Sequence, residues 1–327
     1  MTPEVVLVAS AGDTIGLGHV YRCRALAQAL PDARLVLGPP KRWMEDITQG
    51  AVVVLDTLHG GNVAVTMSYV TALHERGARV AVIDSMPPDH YPETALGAGI
   101  PDLLITPYVA ADRLRPEPPG GVWLKGGAYA ILPAAFTEAR GRIAAGSPDR
   151  VLVLCGGADP SALSPRIARA LVSGHHPIDL VVGPQFATAL VDELSGLARA
   201  HECLVLHRAP ETILPLYLSA RLVVGRPGLV RYEAAALGRP AVYLWEGGAY
   251  LDYFRAFRSA GIAEIHLAAE SGGEAAFFDR LAQIAAANPA ALPAVPHMPA
   301  LSAIDLRGAA RVVTALADLA AAARKRA

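Results

Sequence analysis

Short apolar runs alternate with helix-length segments along the whole of this 327-residue chain, and that alternation constrains its fold more than any other feature. The runs fall at 5–9, 34–37, 52–55, 80–83, 103–105, 151–154, 180–182, 204–206, 222–224, 241–244 and 262–267, mostly separated by stretches rich in Ala, Leu and Arg. Runs this short and this continuously apolar read as strands buried on both faces; alternating with helices, they imply parallel sheets. Each half also opens alike, with a strand, a glycine-rich turn and a helix. The first turn is 12–18 and the second is Gly156-Gly-Ala-Asp-Pro160. The stretch 141–150, with Gly146-Ser-Pro148, reads as a linker. The expected fold is therefore α/β, with two doubly wound, Rossmann-like domains facing across a cleft, ligands sitting at the carboxyl ends of the strands. The N-terminal domain is expected over 1–145 and the C-terminal one over 150–327. The last helix, 306–324, is a candidate to pack back on the N-terminal domain.

Composition narrows the class. Hydrophobic residues make up 53% of the chain, but alanine supplies much of this. No stretch approaches the roughly 20 apolar residues of a membrane span. Glu4 precedes a short apolar run with no basic region before it, so no signal peptide is expected. Three widely spaced cysteines, Cys23, Cys155 and Cys203, suggest free thiols and a cytoplasmic location. With 29 Lys and Arg against 30 Asp and Glu, nothing marks a nucleic-acid surface.

The first glycine turn carries the most chemistry. Gly16 and Gly18 let backbone approach a ligand that a Cβ would exclude, and the helix that follows offers unpaired N–H groups and positive dipole. His19 stands at its mouth, with Arg22 one turn on. There the dipole disfavours an extra proton, so the imidazole is a candidate general base. The segment is not a dinucleotide fingerprint. Tyr21 occupies the place of the third glycine, and Gly38-Pro-Pro40 follows the second strand where a ribose-holding acid belongs. A turn that only packs a helix on a sheet, with His19 as a cap, is the plainer alternative.

The second informative segment runs from 222 to 240. A strand ends in Gly225-Arg-Pro-Gly228, and a helix begins near Leu229 and stops at Gly238, with Pro240 soon after. The amides of Gly228, Leu229, Val230 and Arg231 suit a diphosphate. Arg226 and Arg231 can add charge-assisted hydrogen bonds, and Glu233, about a turn in, suits the two hydroxyls of a ribose. The alternative is a capped surface helix with a solvated glutamate. Asp56 and Asp84 end strands of the first domain, where substrate contact and helix capping are both open; His59 and Asn62 share the loop after Asp56. Cys155 reads as a buried strand-end thiol. The adjacent His175 and His176 make a poor ligand pair. No zinc-type spacing, no Asp-x-Asp, no phosphate-binding Gly-Lys-Ser/Thr loop and no Gly-x-Ser-x-Gly elbow occurs. Neither a metal nor another cofactor is expected.

These segments occur in the order seen in one family. Gly16-Leu-Gly-His19 with Arg22, then 156–160, then Gly228 to Glu233 with Ala236-Leu-Gly-Arg-Pro240, resemble the nucleotide-sugar hydrolases of pseudaminic acid biosynthesis and the related spore-coat polysaccharide proteins. Trp123-Leu-Lys-Gly-Gly-Ala-Tyr129 and the stretch 304–313 are similar as well, so the resemblance spans nearly the full length. It implies the GT-B fold and release of UDP from a diacetamido-trideoxy-altrose donor. This chain departs from the family's pattern at Leu229 and Val230, at Asp84-Ser85, at Pro133 and at Tyr250-Leu-Asp-Tyr253. Backbone contacts to a diphosphate survive such changes, whereas side-chain contacts to the sugar do not.

The resulting expectation is metal-independent hydrolysis of a UDP-linked deoxyamino sugar at the anomeric carbon. His19 is the catalytic group. Gly16, Gly18, Arg22, Asp56, Asp84, Tyr129, Gly157, Gly228, Leu229, Val230, Arg231 and Glu233 bind substrate. A glycosyltransferase acting on the same donor and a non-catalytic sugar-nucleotide binder are the alternatives.

Overall fold

The computed structural model describes residues 4–10, 17–38, 43–57, 63–83, 101–111, 122–140, 149–174, 176–248, 250–287, 304 and 306–324. Two compact units divide the chain: Met1–Ala134 together with Ala303–Ala327, and Ala135–Ser302.

In the first unit the strands are β1 (Val5–Ala9), β2 (Arg34–Leu37), β3 (Val52–Asp56), β4 (Arg79–Ile83), β5 (Leu103–Thr106) and β6 (Val122–Lys125). They pair in parallel in the order β2-β1-β3-β4-β5-β6. Helices α1 (Gly18–Ala29), α2 (Val63–Glu75) and, from the far end of the chain, α10 (Gly308–Arg324) complete the unit. Alternate strand residues serve opposite faces, as the two-residue period of a strand requires. Leu7, Val52, Val54, Ile83 and Ile105 pack with Val20, Cys23 and Leu26 of α1 and Val312 and Leu316 of α10. Val6, Val8, Val53, Leu55 and Val82 pack with Trp43, Val70 and Leu73. Coverage on both faces is why these strands are apolar throughout.

The second unit repeats the plan. Its strands β7 (Arg150–Leu154), β8 (Ile178–Val182), β9 (Leu204–Arg208), β10 (Ala220–Gly225), β11 (Ala241–Trp245) and β12 (Glu264–Leu267) form a parallel sheet ordered β12-β11-β10-β7-β8-β9. After α3 (Ala134–Ala139), at the boundary of the units, come α4 (Leu163–Leu171), α5 (Thr188–Ala200), α6 (Leu214–Ser219), α7 (Val230–Ala236), α8 (Leu251–Ser259) and α9 (Gly273–Ala286). The core joins Val151, Val153, Leu180, Leu222, Val224 and Val242 to Leu163, Ile167 and Leu171 of α4 and to Phe277, Leu281 and Ile284 of α9.

All eleven apolar runs correspond to strands. β6 has no counterpart among them, because an edge strand with Val122 exposed and Lys125 at its end lacks the apolar continuity of a doubly covered one. β12 is shorter than the run that marks it: Ile262 and Ala263 are buried ahead of the strand. Among the described residues, no helix is long and apolar enough to cross a membrane.

Candidate functional site

Strand order fixes where each sheet can hold a ligand. In the first unit the chain moves from β1 to β2 on one side and then to β3 on the other, so the order reverses between β1 and β3. The loops leaving the carboxyl ends of such a pair diverge, and the crevice they leave is where doubly wound sheets bind ligands. Asp56 ends β3 beside Ala9, and His19 and Arg22 lie on the first turn and a half of α1. All three are buried, Asp56 completely.

Their contacts join all three side chains. His19 Nδ1 lies 2.6 Å from Asp56 Oδ1. Arg22 donates from Nε to Asp56 Oδ2 and from Nη2 to Oδ1, both at 2.8 Å, the two-pronged geometry that a guanidinium gives a carboxylate. Burial alone would raise the carboxyl of Asp56; Arg22, then His19, outweigh it and hold the group below its usual range. Burial likewise opposes the charge on Arg22, but Asp56 and the nearby Tyr108 keep it protonated. An ionised Asp56 has only acceptors to offer, so the proton in its contact with the imidazole belongs to His19 Nδ1. In the neutral ring Nε2 is then the bare, basic nitrogen. The 3.1 Å approach of Arg22 Nη2 to Nδ1 is in consequence a proximity and not a second hydrogen bond.

Among the described residues the Asp56 carboxylate is taken up by His19 and Arg22, a geometry that fixes the orientation of the imidazole. Gly18 is the first residue of α1. Tyr129 lies in the short 3-10 turn Gly127–Tyr129 after β6, half-buried against the core. Gly16, Asp84, His59 and Asn62 fall outside the described residues. Tyr108 is an addition that the strand pattern could have supplied, since it follows β5 on the same sheet edge as Asp56. Its loop is held by a hydrogen bond that the Tyr108 amide donates to the Thr106 carbonyl and by Ala110 at φ +66°.

In the second unit the order reverses between β7 and β10, and Cys155–Gly157 and Gly225–Gly228 leave that crevice. A Cβ on Gly225 would lie 1.9 Å from the Leu154 carbonyl oxygen, so only glycine lets these two strand ends close together. Gly157 accepts the Gln185 amide at 2.9 Å, tying the turn after β7 to that after β8. Gly228 differs. It has no positive φ, and a Cβ there would meet nothing within 4 Å among the described residues. Gly228 is exposed at the entry to α7, and no contact among the described residues requires a glycine there.

Arg231 is engaged by the turn that it follows. Its Nη1 donates to the Pro227 and Gly228 carbonyls at 2.7 and 2.8 Å, and its guanidinium packs over Tyr232, Phe254 and Phe257. It fixes the shape of the Gly228 turn from behind. Glu233, read as a solvated glutamate in the plainer alternative, is buried, and burial pushes its carboxyl up to about 7. Tyr217 Oη lies 2.9 Å from its Oε2 and 3.1 Å from the Val230 carbonyl, which the Tyr243 phenol also approaches at 3.3 Å. Arg226 extends over Trp245, with its Nη2 3.8 Å from Glu246. Cys155 is buried, and burial pushes its thiol up. His176 Nε2 meets the Ile284 carbonyl at 2.8 Å as part of the core. Among the described residues no group of three or more His, Cys, Asp or Glu side chains is arranged to hold a metal ion.

No family model matches the chain. An uncharacterized protein of Methanocaldococcus jannaschii is 26% identical over 147 residues, which is 41% of this chain and 30% of that protein, so the match spans less than a third of the relative's length. Solved structures match over nearly the whole chain. MurG of Acinetobacter baumannii is similar with a TM-score of 0.56 at 17% identity, covering 97% of this chain and 100% of that one. A UDP-N-acetylglucosamine 2-epimerase gives 0.52 at 12% identity over 97% and 96%. MnaA of S. aureus, solved with UDP, gives 0.50 at 12% identity over 96% and 95%. At such identities likeness speaks for the fold alone, and the fold is GT-B, built of two Rossmann-like α/β domains.

Proposed function

We propose that this protein is a metal-independent hydrolase of a UDP-linked deoxyamino sugar, acting in surface-glycan or flagellin-sugar biosynthesis. The observation that carries the reading is the buried His19–Asp56 pair, in which the ionised carboxylate leaves His19 Nε2 as the basic nitrogen. In the proposed step a water oxygen attacks the anomeric carbon and its proton passes to His19 Nε2. The bond from that carbon to the diphosphate oxygen breaks, and UDP leaves with the bonding electrons. A positioned base of this kind contributes about 10²–10⁴-fold.

The nucleotide is assigned to the second unit. The exposed Gly228 at the start of α7 and the N–H groups of that helix start suit the diphosphate, and Glu233 suits the ribose. UDP as the nucleotide draws support from the resemblance set out above and from similar structures named for UDP or a UDP-sugar. The deoxyamino sugar rests on the resemblance.

Incubation of the intact protein with UDP-linked deoxyamino sugars, in EDTA and without an acceptor, tests the reading directly. Chromatography should reveal UDP and free sugar in equal amounts, formed about 10²–10⁴-fold more slowly by His19→Asn. A donor left intact overturns hydrolysis. A glycosyltransferase needs the same base with an alcohol in place of water, so UDP release only after an acceptor is added identifies that activity instead.

A further inference from the structure

Beside the Gly228 turn lies a charged cluster that the proposed chemistry leaves unused. Glu246 follows β11, next to the β10 end that carries Arg226. Its Oε2 accepts the Ser161 hydroxyl, its Oε1 accepts Arg166 Nη1 at 3.1 Å, and Arg226 Nη2 stands 3.8 Å from Oε2. Arg166 is also tied to Glu274 and packs on Phe278. Arg226 follows β10 and donates its amide to the carbonyl of Leu154, the last residue of β7, which sets it beside the crevice between those two strands.

Arg226 is the loosest member. At 3.8 Å its approach to Glu246 is an ion pair without a hydrogen bond, and its Nε is buried with no hydrogen-bond partner among the described residues. A buried N–H without an acceptor is costly and calls for one. Two guanidiniums and a hydroxyl converging on a single carboxylate oxygen pair resemble the donor set of a phosphate site, with the carboxylate where the anion belongs. Arg226 is also anchored by its own amide to the Leu154 carbonyl at 3.0 Å, so its side chain can turn without disturbing the strand end.

We propose that Ser161, Arg166 and Arg226 form a diphosphate-binding set that Glu246 occupies in the unliganded protein, so that nucleotide must displace an internal carboxylate to bind. The inference rests on the nucleotide-sugar reading and adds to it both the donors and a competing charge. Displacement gives selectivity. A singly charged anion exchanges one carboxylate for its equal, whereas a diphosphate brings more charge and more acceptors than Glu246 offers.

Calorimetric titration of the intact protein with UDP and with inorganic pyrophosphate tests this. Glu246→Gln keeps size and the Ser161 contact while removing the charge, and should tighten pyrophosphate about tenfold. Arg226→Ala should weaken it by a similar factor, and the double variant should lose the gain. Equal or weaker pyrophosphate binding by a folded Glu246→Gln overturns the proposal. If that variant does not fold, unchanged affinity in Arg226→Ala overturns it instead. UDP binding that ignores all these substitutions leaves the nucleotide reading intact, whereas no binding of UDP or pyrophosphate by wild type or variants sinks both.

Discussion

Tyr217 Oη stands 2.9 Å from Glu233 Oε2 and 3.1 Å from the Val230 carbonyl, yet the phenol has one proton to give. When Glu233 is ionised, that proton goes to the carboxylate. When Glu233 is protonated it donates to the phenol oxygen, and Tyr217 then donates to Val230. Both arrangements satisfy the buried groups, and a carboxyl titrating at about 7 populates both near neutrality.

This exchange has a stability signature. Between the ordinary carboxyl value of 4.5 and about 7 the folded protein keeps a proton that the unfolded chain has lost. Stability from this group is therefore present below pH 4.5 and declines as pH rises to about 7. Glu233→Gln retains a donor toward Tyr217 without the titration. It should be more stable than wild type at pH 8, by up to about 3 kcal/mol, and show little difference at pH 4.5. A gain of equal size at both pH values would remove the buried proton from the account.

The same carboxyl predicts proton release on nucleotide binding. Two ribose hydroxyls donating to Glu233 favour its ionised form, pulling its titration below neutrality. Calorimetry of UDP binding at pH 6.5 in buffers of different ionisation enthalpy should give apparent enthalpies that diverge, with the protein losing a fraction of a proton. Glu233→Gln should abolish the divergence and weaken UDP by roughly 1.5–3 kcal/mol, the value of a hydrogen bond to a charged group. Equal UDP affinity in the variant would take Glu233 out of the ribose site.

How far the sequence carried these conclusions varies by residue. The strands that carry Asp56 and Gly225 were legible because parallel strands covered on both faces are apolar throughout, and His19 was legible because it follows glycine at a helix start. The partnership of His19 with Asp56 was not, since it joins residues 37 apart through strand order, which a linear pattern does not encode. The inward turn of Arg231 was hidden for another reason. An arginine at a glycine turn looks alike whether it faces a ligand or the turn's own carbonyls, and only the packing of Tyr232, Phe254 and Phe257 decides. Glu246 drew no notice because its partners, Ser161 ahead of α4, Arg166 within it and Arg226 after β10, lie far from it along the chain.

Arg22 holds the Asp56 carboxylate with both Nε and Nη2, and that supporting role can be tested apart from contact with substrate. Removing Arg22 leaves Asp56 fully buried with His19 as the one remaining side-chain partner among the described residues. Breaking a buried pair from one side typically costs about 3–5 kcal/mol, so Arg22→Met should lower the melting temperature markedly. Lysine restores the charge without the fork and should recover part of the loss. A variant that melts like wild type but binds substrate poorly would make Arg22 a substrate ligand instead.

The last prediction separates the base from the group that aims it. His19→Asn removes the basic nitrogen, and turnover should fall by about 10²–10⁴-fold. Asp56→Asn leaves the imidazole in place but changes what faces Nδ1. Arg22 will claim the amide oxygen, so the amide nitrogen turns to His19 and donates to Nδ1, moving the ring proton to Nε2, the wrong nitrogen for attack. Turnover should then fall by a comparable factor, although a histidine is still present. UDP affinity should change little in either variant, because the nucleotide is assigned to the Gly228 turn and Glu233. The double variant should be no slower than His19→Asn alone, since an orienting group has no effect once the oriented one is gone. Losses that instead multiply in the double variant would show Asp56 acting on substrate independently of His19, and the proposed division of roles would fail.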